Sequence, residues 1–468
     1  MSNPYRLHCR ELDGERTGIL EFDRDGVALY FVGYGEFTHI REDSPSYVVT
    51  EEGKVVSLLA NIAGRQSSTS VATKFGGREF GHEYNEYRSV SRRGIRSNLA
   101  VVGVDAWRSE DVVQRVTFDV AHTEQILAHQ GKLRSLGSSS RPSDDDLILY
   151  RAEVGGMVLT AGYEVSYGLE TCSLRTHRPT FSIEFSAGCS LNAIQGSLFG
   201  YLAFLSFVLG GRMAPEEVRI DRMSFEEKIR AVEAGTYIDD HAIIWNWPAE
   251  GHEAKDLAFY GAPFMAMNDG ELTSFVAGLI TWFERIDEWR AASVRMTESL
   301  RLRREISGER LLAAWRWFEE VPPTKAKRVI DNDVVEYLTE AALKGAREKC
   351  LGAHIEDRIK GSLTRIGEES MRDRFERLIH SVEERFERND CLDGMVNHLQ
   401  NARCFRGRIA HGHFSSRNAA ELRQFNKATL AMEALCFLLT ARDLPLSEEA
   451  KKRIWAHPIL EEYQLAYD

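Results

Sequence analysis

Hydrophobic and polar residues alternate in short runs through the first half of the chain. The stretch TGILEFDRDGVALYFVG, residues 17–33, holds two such runs joined by Arg24-Asp25-Gly26. An Asp-Gly step supplies the positive φ angles of a tight hairpin turn, so this stretch predicts two antiparallel strands. Similar runs follow at roughly ten-residue spacing, which is typical of a β-sandwich or a barrel-like domain.

One segment is apolar for about the length that crosses a bilayer. It reads LNAIQGSLFGYLAFLSFVLG, residues 191–210, and is interrupted by Asn192, Gln195, Ser197 and Ser206. Because the rest of the chain is patterned for water, we expect a buried core helix here rather than a membrane span. We therefore predict no membrane partner.

From residue 271 onward the apolar residues recur at spacings of three and four, which is the period of an amphipathic helix. Residues 271–305 predict one long helix, and residues 308–323 predict a second one that two prolines end. Further helices are predicted at 325–348, 352–366, 369–388, 391–411, 416–441 and 447–456. The second part of the chain is therefore predicted to be an all-helical bundle.

Together these patterns predict an α+β protein with more than one domain. A β-rich domain of residues 1–270 precedes an all-α domain of residues 271–468, or the boundary lies at Pro322-Pro323 if the first two helices form a connector. The polar stretch GSSSRPSDDD, residues 137–146, predicts an exposed loop. This loop is a candidate boundary between two β-subdomains.

Charge and cysteine content narrow the class of protein. A formal net charge of −12 argues against coating nucleic acid by bulk attraction, although a locally basic site is compatible with it. The seven cysteines are odd in number and form no Cys-x-x-Cys pair, which is typical of reduced thiols in the cytoplasm. The first residues lack the pattern of a signal peptide. We expect a cytoplasmic protein.

Candidate metal ligands are weak in this sequence. Cys350 with His354, and Cys391 with His398, lack the spacing of a zinc finger or ribbon. Cysteines on helices are more often packed in the core. The sequence also has no Gly-x-Ser-x-Gly, no His-Glu-x-x-His and no dinucleotide-binding glycine pattern. We therefore predict no metal and no cofactor.

A cluster of arginines and histidines stands out in ARCFRGRIAHGHFSSRN, residues 402–418. Arg406 and His411 form an Arg-x4-His pattern, and Arg408 with His413 forms an overlapping second copy. In a chain with many arginines such a short pattern also occurs by chance, so its position matters. It lies at the predicted end of a helix, before a glycine that breaks the helix.

Helix geometry restricts how Arg406 and His411 can cooperate. Five residues along an ideal helix rotate a side chain by about 500°, which leaves about 140° between the two directions. If the last turn loosens near Gly407 and Gly412, both groups can reach a common cleft.

These residues resemble the signature of the HEPN superfamily, Arg-polar-x-x-x-His at a helix end, commonly R-N-x-x-A-H-G. Arg406, Ala410, His411 and Gly412 match it, whereas Gly407 stands where the family usually has Asn, His or Asp. The whole chain is similar in architecture to the ApeA group of bacterial anti-phage proteins, with a β-rich N-terminal domain and a C-terminal HEPN domain.

The resemblance implies a metal-independent endoribonuclease whose motif is doubled across a homodimer cleft. In that reading His411 moves the proton of a ribose 2′-hydroxyl or of the leaving 5′-oxygen, and Arg406 binds phosphate oxygens. The expected products carry a 2′,3′-cyclic phosphate and a 5′-hydroxyl. The residues that we expect to contact the RNA without catalysing its cleavage are Arg403, Arg408, His413 and Arg417.

The implied biological role is anti-phage defence by abortive infection, with cellular RNA as the target and tRNA as one candidate. Such a nuclease must be restrained in healthy cells, so the β-rich domain is the expected receiver of a phage-derived trigger. The alternative is a helical domain that only dimerises or binds a nucleotide and serves a β domain with the recognition function. Gly407 is the residue that favours this alternative.

Overall fold

The computed structural model describes residues 5–12, 17–23, 26–34, 46–59, 61–62, 69–79, 82–97, 99–138, 143–168, 173–236, 241–245, 263–386, 390–412 and 418–467. Within these residues the chain divides into two compact units. The β unit comprises Met1–Leu202, Met213–Lys255 and Ala266–Leu272, and the helical unit comprises Ala203–Arg212, Asp256–Met265 and Thr273–Asp468.

The β unit contains the strands. They are β1 (Tyr5–Glu11), β2 (Thr17–Asp23), β3 (Gly26–Tyr34), β4 (Ser46–Thr50), β5 (Val55–Leu58), β6 (Asn61–Ile62), β7 (Thr69–Glu79), β8 (His82–Ser97), β9 (Ala100–Gly103), β10 (Val112–Val120), β11 (Ile148–Val154), β12 (Met157–Gly168), β13 (Ser173–Ser190), β14 (Pro215–Asp221) and β15 (Ala242–Trp245).

Hydrogen bonds join these strands in one antiparallel sheet. Its order is β11-β12-β13-β10-β14-β15-β9-β5-β4-β1-β2-β3-β8-β6, and β7 pairs with β8 beside this path. The predicted hairpin is confirmed, because β2 and β3 pair up to Asp23 and Gly26. Its two turn residues lie outside the described residues. The predicted loop 137–146 is only partly confirmed: residues 137–138 end the helix Gln130–Ser138, residues 144–146 begin the helix Asp144–Leu147, and residues 139–142 lie outside the described residues.

Alternation along the strands creates the core of the sheet. Leu20, Leu29, Val48, Val56 and Ala100 belong to one buried cluster, come from five of six neighbouring strands, and have no exposed surface. Burying a leucine or valine side chain contributes roughly 1.5–3 kcal/mol to the stability of the fold. The period-two pattern that predicts the strands is therefore the pattern that fills their core.

Helices occur in both units. They are α1 (Thr123–Ile126), α2 (Gln130–Ser138), α3 (Asp144–Leu147), α4 (Ile194–Leu209), α5 (Phe225–Glu233), α6 (Asp269–Glu284), α7 (Ile286–Arg301), α8 (Gly308–Glu320), α9 (Asn332–Glu348), α10 (Ala353–Ile366), α11 (Met371–Glu383), α12 (Met395–Ala410), α13 (Ala419–Arg442), α14 (Glu448–Lys452) and α15 (Pro458–Tyr467).

The long apolar segment is the core helix α4. In the β unit its Tyr201 contacts Phe118 and Phe181 at ring distances of 5.4 and 5.3 Å. In the helical unit its Phe207 stacks on Phe437 at 4.8 Å. All of these rings are buried, which confirms the expected core helix. Among the described helices, none combines the length and the apolar character that crossing a bilayer requires.

The C-terminal part is all-helical, as predicted, and α13 is its central helix. Every residue from Ala428 to Ala441 is buried, which is typical of a helix surrounded by others. Helices α8, α11, α12 and α15 contact it. Residues 428–441 of α13 are thus enclosed on all sides by the helices that pack around them.

The prediction of one long helix over residues 271–305 is wrong, because α6 and α7 are separated at Arg285. This residue has φ −97° and ψ 4°, outside helical geometry. Its guanidinium lies 4.0 Å from the Trp289 ring and donates to the Thr440 carbonyl at 3.1 Å. Burial lowers the pKa of Arg285 to about 10. Apolar spacing continues through the break, so the sequence pattern does not reveal it.

Candidate functional site

The histidine segment lies at the end of α12. The helix continues through Ala410, His411 is its C-terminal cap, and Gly412 has a φ of +70°. The His411 N–H donates to the Gly407 carbonyl at 3.2 Å, as in a regular helical turn. The predicted end of the helix is therefore confirmed. The last turn is not loosened at Gly407, and the chain leaves helical geometry only after Ala410.

Arg406 is held against α8. Its Nη2 donates to Glu319 Oε1 at 3.1 Å, and its guanidinium carbon lies 5.1 Å from the Trp315 ring centre. The Trp315 indole N–H donates to the same carboxylate oxygen at 2.7 Å. The Arg406 side chain is still 44% exposed. The guanidinium is thus both positioned and accessible to an anion.

The two α8 residues that hold Arg406 stand four apart, and so they lie on the same face of the helix. Trp315 is buried and Glu319 is exposed, so the ring anchors the pair and the carboxylate reaches the surface. At the start of α8, Ser307 caps the helix by accepting from the Arg310 N–H at 3.2 Å. These contacts fix which part of α8 faces α12.

A buried ion pair anchors α8 to the central helix. Arg310 donates to both carboxylate oxygens of Glu433 on α13, at 2.9 and 2.7 Å. Both side chains are only 4% exposed, and Ser299 donates to the same carboxylate at 3.1 Å. A bidentate ion pair of this kind restricts the relative orientation of its two side chains and also contributes to stability. It sets the position of the helix that carries Trp315 and Glu319.

His411 is exposed and leaves α12 in another direction. Because α12 stays helical between the two residues, the side chains of Arg406 and His411 diverge by about 140°. Gly407 lies one turn before His411, and a Cβ at this position would meet no heavy atom within 4 Å. The surface at Gly407 is therefore open.

The other predicted RNA contacts have different outcomes. Arg403 is exposed and precedes Arg406 by three residues, so both lie on one face of α12. Arg408 donates to Glu421 on α13 at 2.6 Å and lies 5.5 Å from the Phe405 ring. Its charge is thus already used in packing α12 on α13. His413 and Arg417 lie outside the described residues.

The end of α12 is locally basic in an acidic protein. The helix carries Arg403, Arg406 and Arg408 and no Asp or Glu. Cations are favoured near a helix C-terminus, where the backbone dipole is negative. Glu319 and Glu421 oppose two of these charges. The surface can attract a phosphate, and the two carboxylates limit how strongly it does so.

In chemical terms the site offers one imidazole for proton transfer and one guanidinium for phosphate. Among the described residues, no three His, Cys, Asp or Glu side chains are grouped so that they could hold a metal ion. Trp315 and Glu319 were not among the predicted site residues. Their four-residue spacing is visible in the sequence, but nothing there shows that they face Arg406.

Comparison of the chain with protein-family models, with curated proteins and with solved structures gives no match.

Proposed function

We propose that the helical unit is a metal-independent endoribonuclease of the HEPN type, in which Arg406 and His411 cleave cellular RNA. In this proposal the protein acts in the cytoplasm in anti-phage defence by abortive infection, and tRNA is one candidate target. The β unit receives a phage-derived trigger. RNA itself supplies the nucleophile, its 2′-hydroxyl, so the chemistry assigned to the protein is proton transfer and charge stabilisation.

The observation that supports this most strongly is the pair of exposed groups at the end of α12. His411 lies on the surface as the helix cap, and Arg406 lies five residues earlier, fixed by Glu319 and Trp315 without being buried. An exposed histidine can exchange protons with a bound substrate. A guanidinium with a fixed plane can bind two phosphate oxygens at once.

The divergence of the two side chains supports a dimeric site. If Arg406 and His411 of one chain point about 140° apart, a phosphate on the guanidinium of one chain is best reached by the histidine of another. A two-fold axis beside α12 places both residues twice around one cleft. We therefore propose a homodimer, or a higher even oligomer, as the active form.

The proposal predicts that Arg406→Ala and His411→Ala each lower the rate of RNA cleavage by about 100-fold or more. The measurement is the cleavage of tRNA by purified full-length protein under activating conditions. Arg290→Ala and His380→Ala, exposed residues on α7 and α11, are the matched controls and are expected to cleave like the wild type. Light scattering checks that all variants keep the same oligomer.

The ion pair between Arg406 and Glu319 favours a second candidate function. A guanidinium that is neutralised within its own chain is also consistent with a non-catalytic module that dimerises or binds a nucleotide for a recognition domain. Toxicity on expression distinguishes the two: the nuclease predicts that Arg406→Ala and His411→Ala relieve it. Equal growth with the wild type and both variants, in the presence of the trigger, would favour the module.

A further inference from the structure

One face of the sheet in the β unit carries a cleft of about 320 Å³, a size within the range of small-molecule sites. A row of residues in register crosses its floor. Thr160, Ser182 and Thr117 are directly paired across β12, β13 and β10, and Arg151 and Arg219 continue the row on the two outer strands. Three hydroxyl groups thus lie between two arginines.

Two of the hydroxyl residues in this cleft are unusually shielded. Ser182 lines the cleft although its side chain is only 8% exposed. Thr180, one row away on the same strand, has a buried Oγ1 that forms no hydrogen bond within the described chain. Buried polar groups are nearly always hydrogen-bonded, and an unpaired one costs about 1–3 kcal/mol. The hydroxyl groups that line the floor of the cleft can pair with a partner that has its own donors and acceptors.

The charged residues that line the cleft balance in number, with Arg115, Arg151 and Arg219 against Glu164, Glu184 and Glu226. Arg219 donates to Glu217 at 2.6 Å, and Arg115 lies opposite Glu184 in the strand register. The guanidinium of Arg115 also lies 5.2 Å from the ring of Phe225, which is partly exposed on α5. With its cations and carboxylates balanced, the cleft offers little net attraction for an ion. It offers planar polar groups, hydroxyls and one exposed ring edge.

We propose that this cleft binds a neutral ligand with vicinal hydroxyl groups, namely the ring of a monosaccharide or the ribose of a nucleoside. Vicinal hydroxyls both donate and accept, and so they match the row of Thr160, Ser182 and Thr117. The guanidinium and carboxylate planes at the rim bind such pairs through two hydrogen bonds each. The proposal concerns the β unit and does not depend on the nuclease assignment.

The test is isothermal titration calorimetry, in which the purified full-length protein is titrated with a fixed set of compounds. The set contains glucose, galactose, mannose and ribose as free sugars, and adenosine and uridine as nucleosides. We expect binding by at least one compound, with the two groups distinguishing a sugar site from a nucleoside site. For a nucleoside, the 2′-deoxy form is expected to bind at least tenfold more weakly, because a buried hydroxyl of the protein is then left unpaired.

Matched variants locate the site. Ser182→Ala and Thr160→Val remove hydroxyls from the floor with little change in shape, and each is expected to weaken binding at least tenfold. Ser186→Ala, an exposed residue on the same strand outside the cleft, is expected to bind like the wild type. Thr160→Ser keeps the hydroxyl and should also bind, so it shows that a loss in Thr160→Val is not a folding defect.

Several results would overturn the proposal. One is the absence of binding by every compound in the set, and another is undiminished binding by both Ser182→Ala and Thr160→Val. Equal binding of a nucleoside and its 2′-deoxy form would exclude recognition of the vicinal hydroxyls. A 5′-monophosphate that binds far more tightly than its nucleoside would show an anion site instead of a neutral one.

Discussion

The guanidinium of Arg406 has two partners on α8, and they have opposite consequences for phosphate binding. Trp315 supports the plane of the guanidinium through its ring, and this orients the donors without using them. Glu319 accepts a hydrogen bond from one of these donors and neutralises the charge of the guanidinium. An exposed pair of this kind is worth at most about 1 kcal/mol, so a phosphate can displace the carboxylate.

At this scale we predict that Glu319→Gln strengthens RNA binding about two- to fivefold, because up to about 1 kcal/mol of competition is removed. The indole of Trp315 can still donate to the amide oxygen, so Arg406 keeps its support. The measurement is RNA affinity by fluorescence anisotropy at low salt, in a His411→Ala background that prevents cleavage. Glu298→Gln, an exposed carboxylate paired with Arg295, is the control. Unchanged or weaker binding by Glu319→Gln would contradict this role.

Gly407 gives a second prediction for a single residue. Its Cβ position is open, and glycine inside a helix costs roughly 0.5–1 kcal/mol relative to alanine. We therefore expect Gly407→Ala to raise the free energy of unfolding by about that amount. Urea unfolding measures this change. Gly407→Asn places a polar side chain one turn before His411 and should cleave RNA faster than Gly407→Ala. If the two variants cleave equally, a polar group at this position has no role in orienting His411.

At the scale of the elements, the buried pair of Arg310 and Glu433 sets the position of α8. Removing one partner leaves an uncompensated buried charge, so we predict that Arg310→Met lowers the free energy of unfolding by about 3–5 kcal/mol. This change is measured by urea unfolding, monitored through the circular dichroism signal of the helices. Arg316→Met, an exposed position on the same helix, is the control and should change stability little.

The double variant Arg310→Met/Glu433→Met tests the explanation. With no charge left in the core, part of the lost stability should return. A double variant less stable than Arg310→Met alone would mean that the cost arises from poor packing of methionine rather than from an unpaired carboxylate.

Among the elements, those with local signals were predictable. The Asp-Gly turn indicated the hairpin of β2 and β3, and Gly412 marked the end of α12. Helix α5 is not among the predicted helices, although Ser224 and Glu227 form a capping box that is a local signal for it. The break at Arg285 has no local signal, and its side chain contacts Thr440, which is distant in sequence.

At the scale of the whole molecule, a buried histidine links stability to pH. His457 has no exposed surface, and its Nε2 lies 3.0 Å from the Phe207 carbonyl. Burial lowers the pKa of His457 to about 3, whereas in the unfolded chain its pKa is near 6.5. The unfolded state therefore binds a proton first as the pH falls. The contribution of neutral His457 to the free energy of unfolding is complete above about pH 6.5 and is lost progressively as the pH falls toward about pH 3.

We predict that this histidine alone costs about 2 kcal/mol of stability between about pH 7.5 and about pH 5. His457→Gln removes the titration, so the difference in free energy of unfolding between wild type and variant should shrink by that amount over this range. Urea unfolding at the two pH values measures it, with His380→Gln as an exposed control. A difference that does not change with pH would contradict a neutral, buried His457.

The candidate site could be predicted only in part from the sequence. Arg406 and His411 were identifiable because their pattern coincides with a helix end. Their surroundings were not, because Trp315 and Glu319 are brought to Arg406 by the packing of α8 on α12 and α13. The row of hydroxyls in the β unit depends on strand register across non-consecutive strands, which alternation along one strand does not specify.

In the proposed nuclease, Arg406 and His411 break RNA through its own 2′-hydroxyl. The most direct measurement is the chemistry of the RNA ends after digestion of tRNA by the purified protein. We predict 2′,3′-cyclic phosphate and 5′-hydroxyl ends with the wild type and with His380→Ala, and no fragments with His411→Ala. Fragments with 3′-hydroxyl ends, or the same fragments from His411→Ala, would contradict the claim.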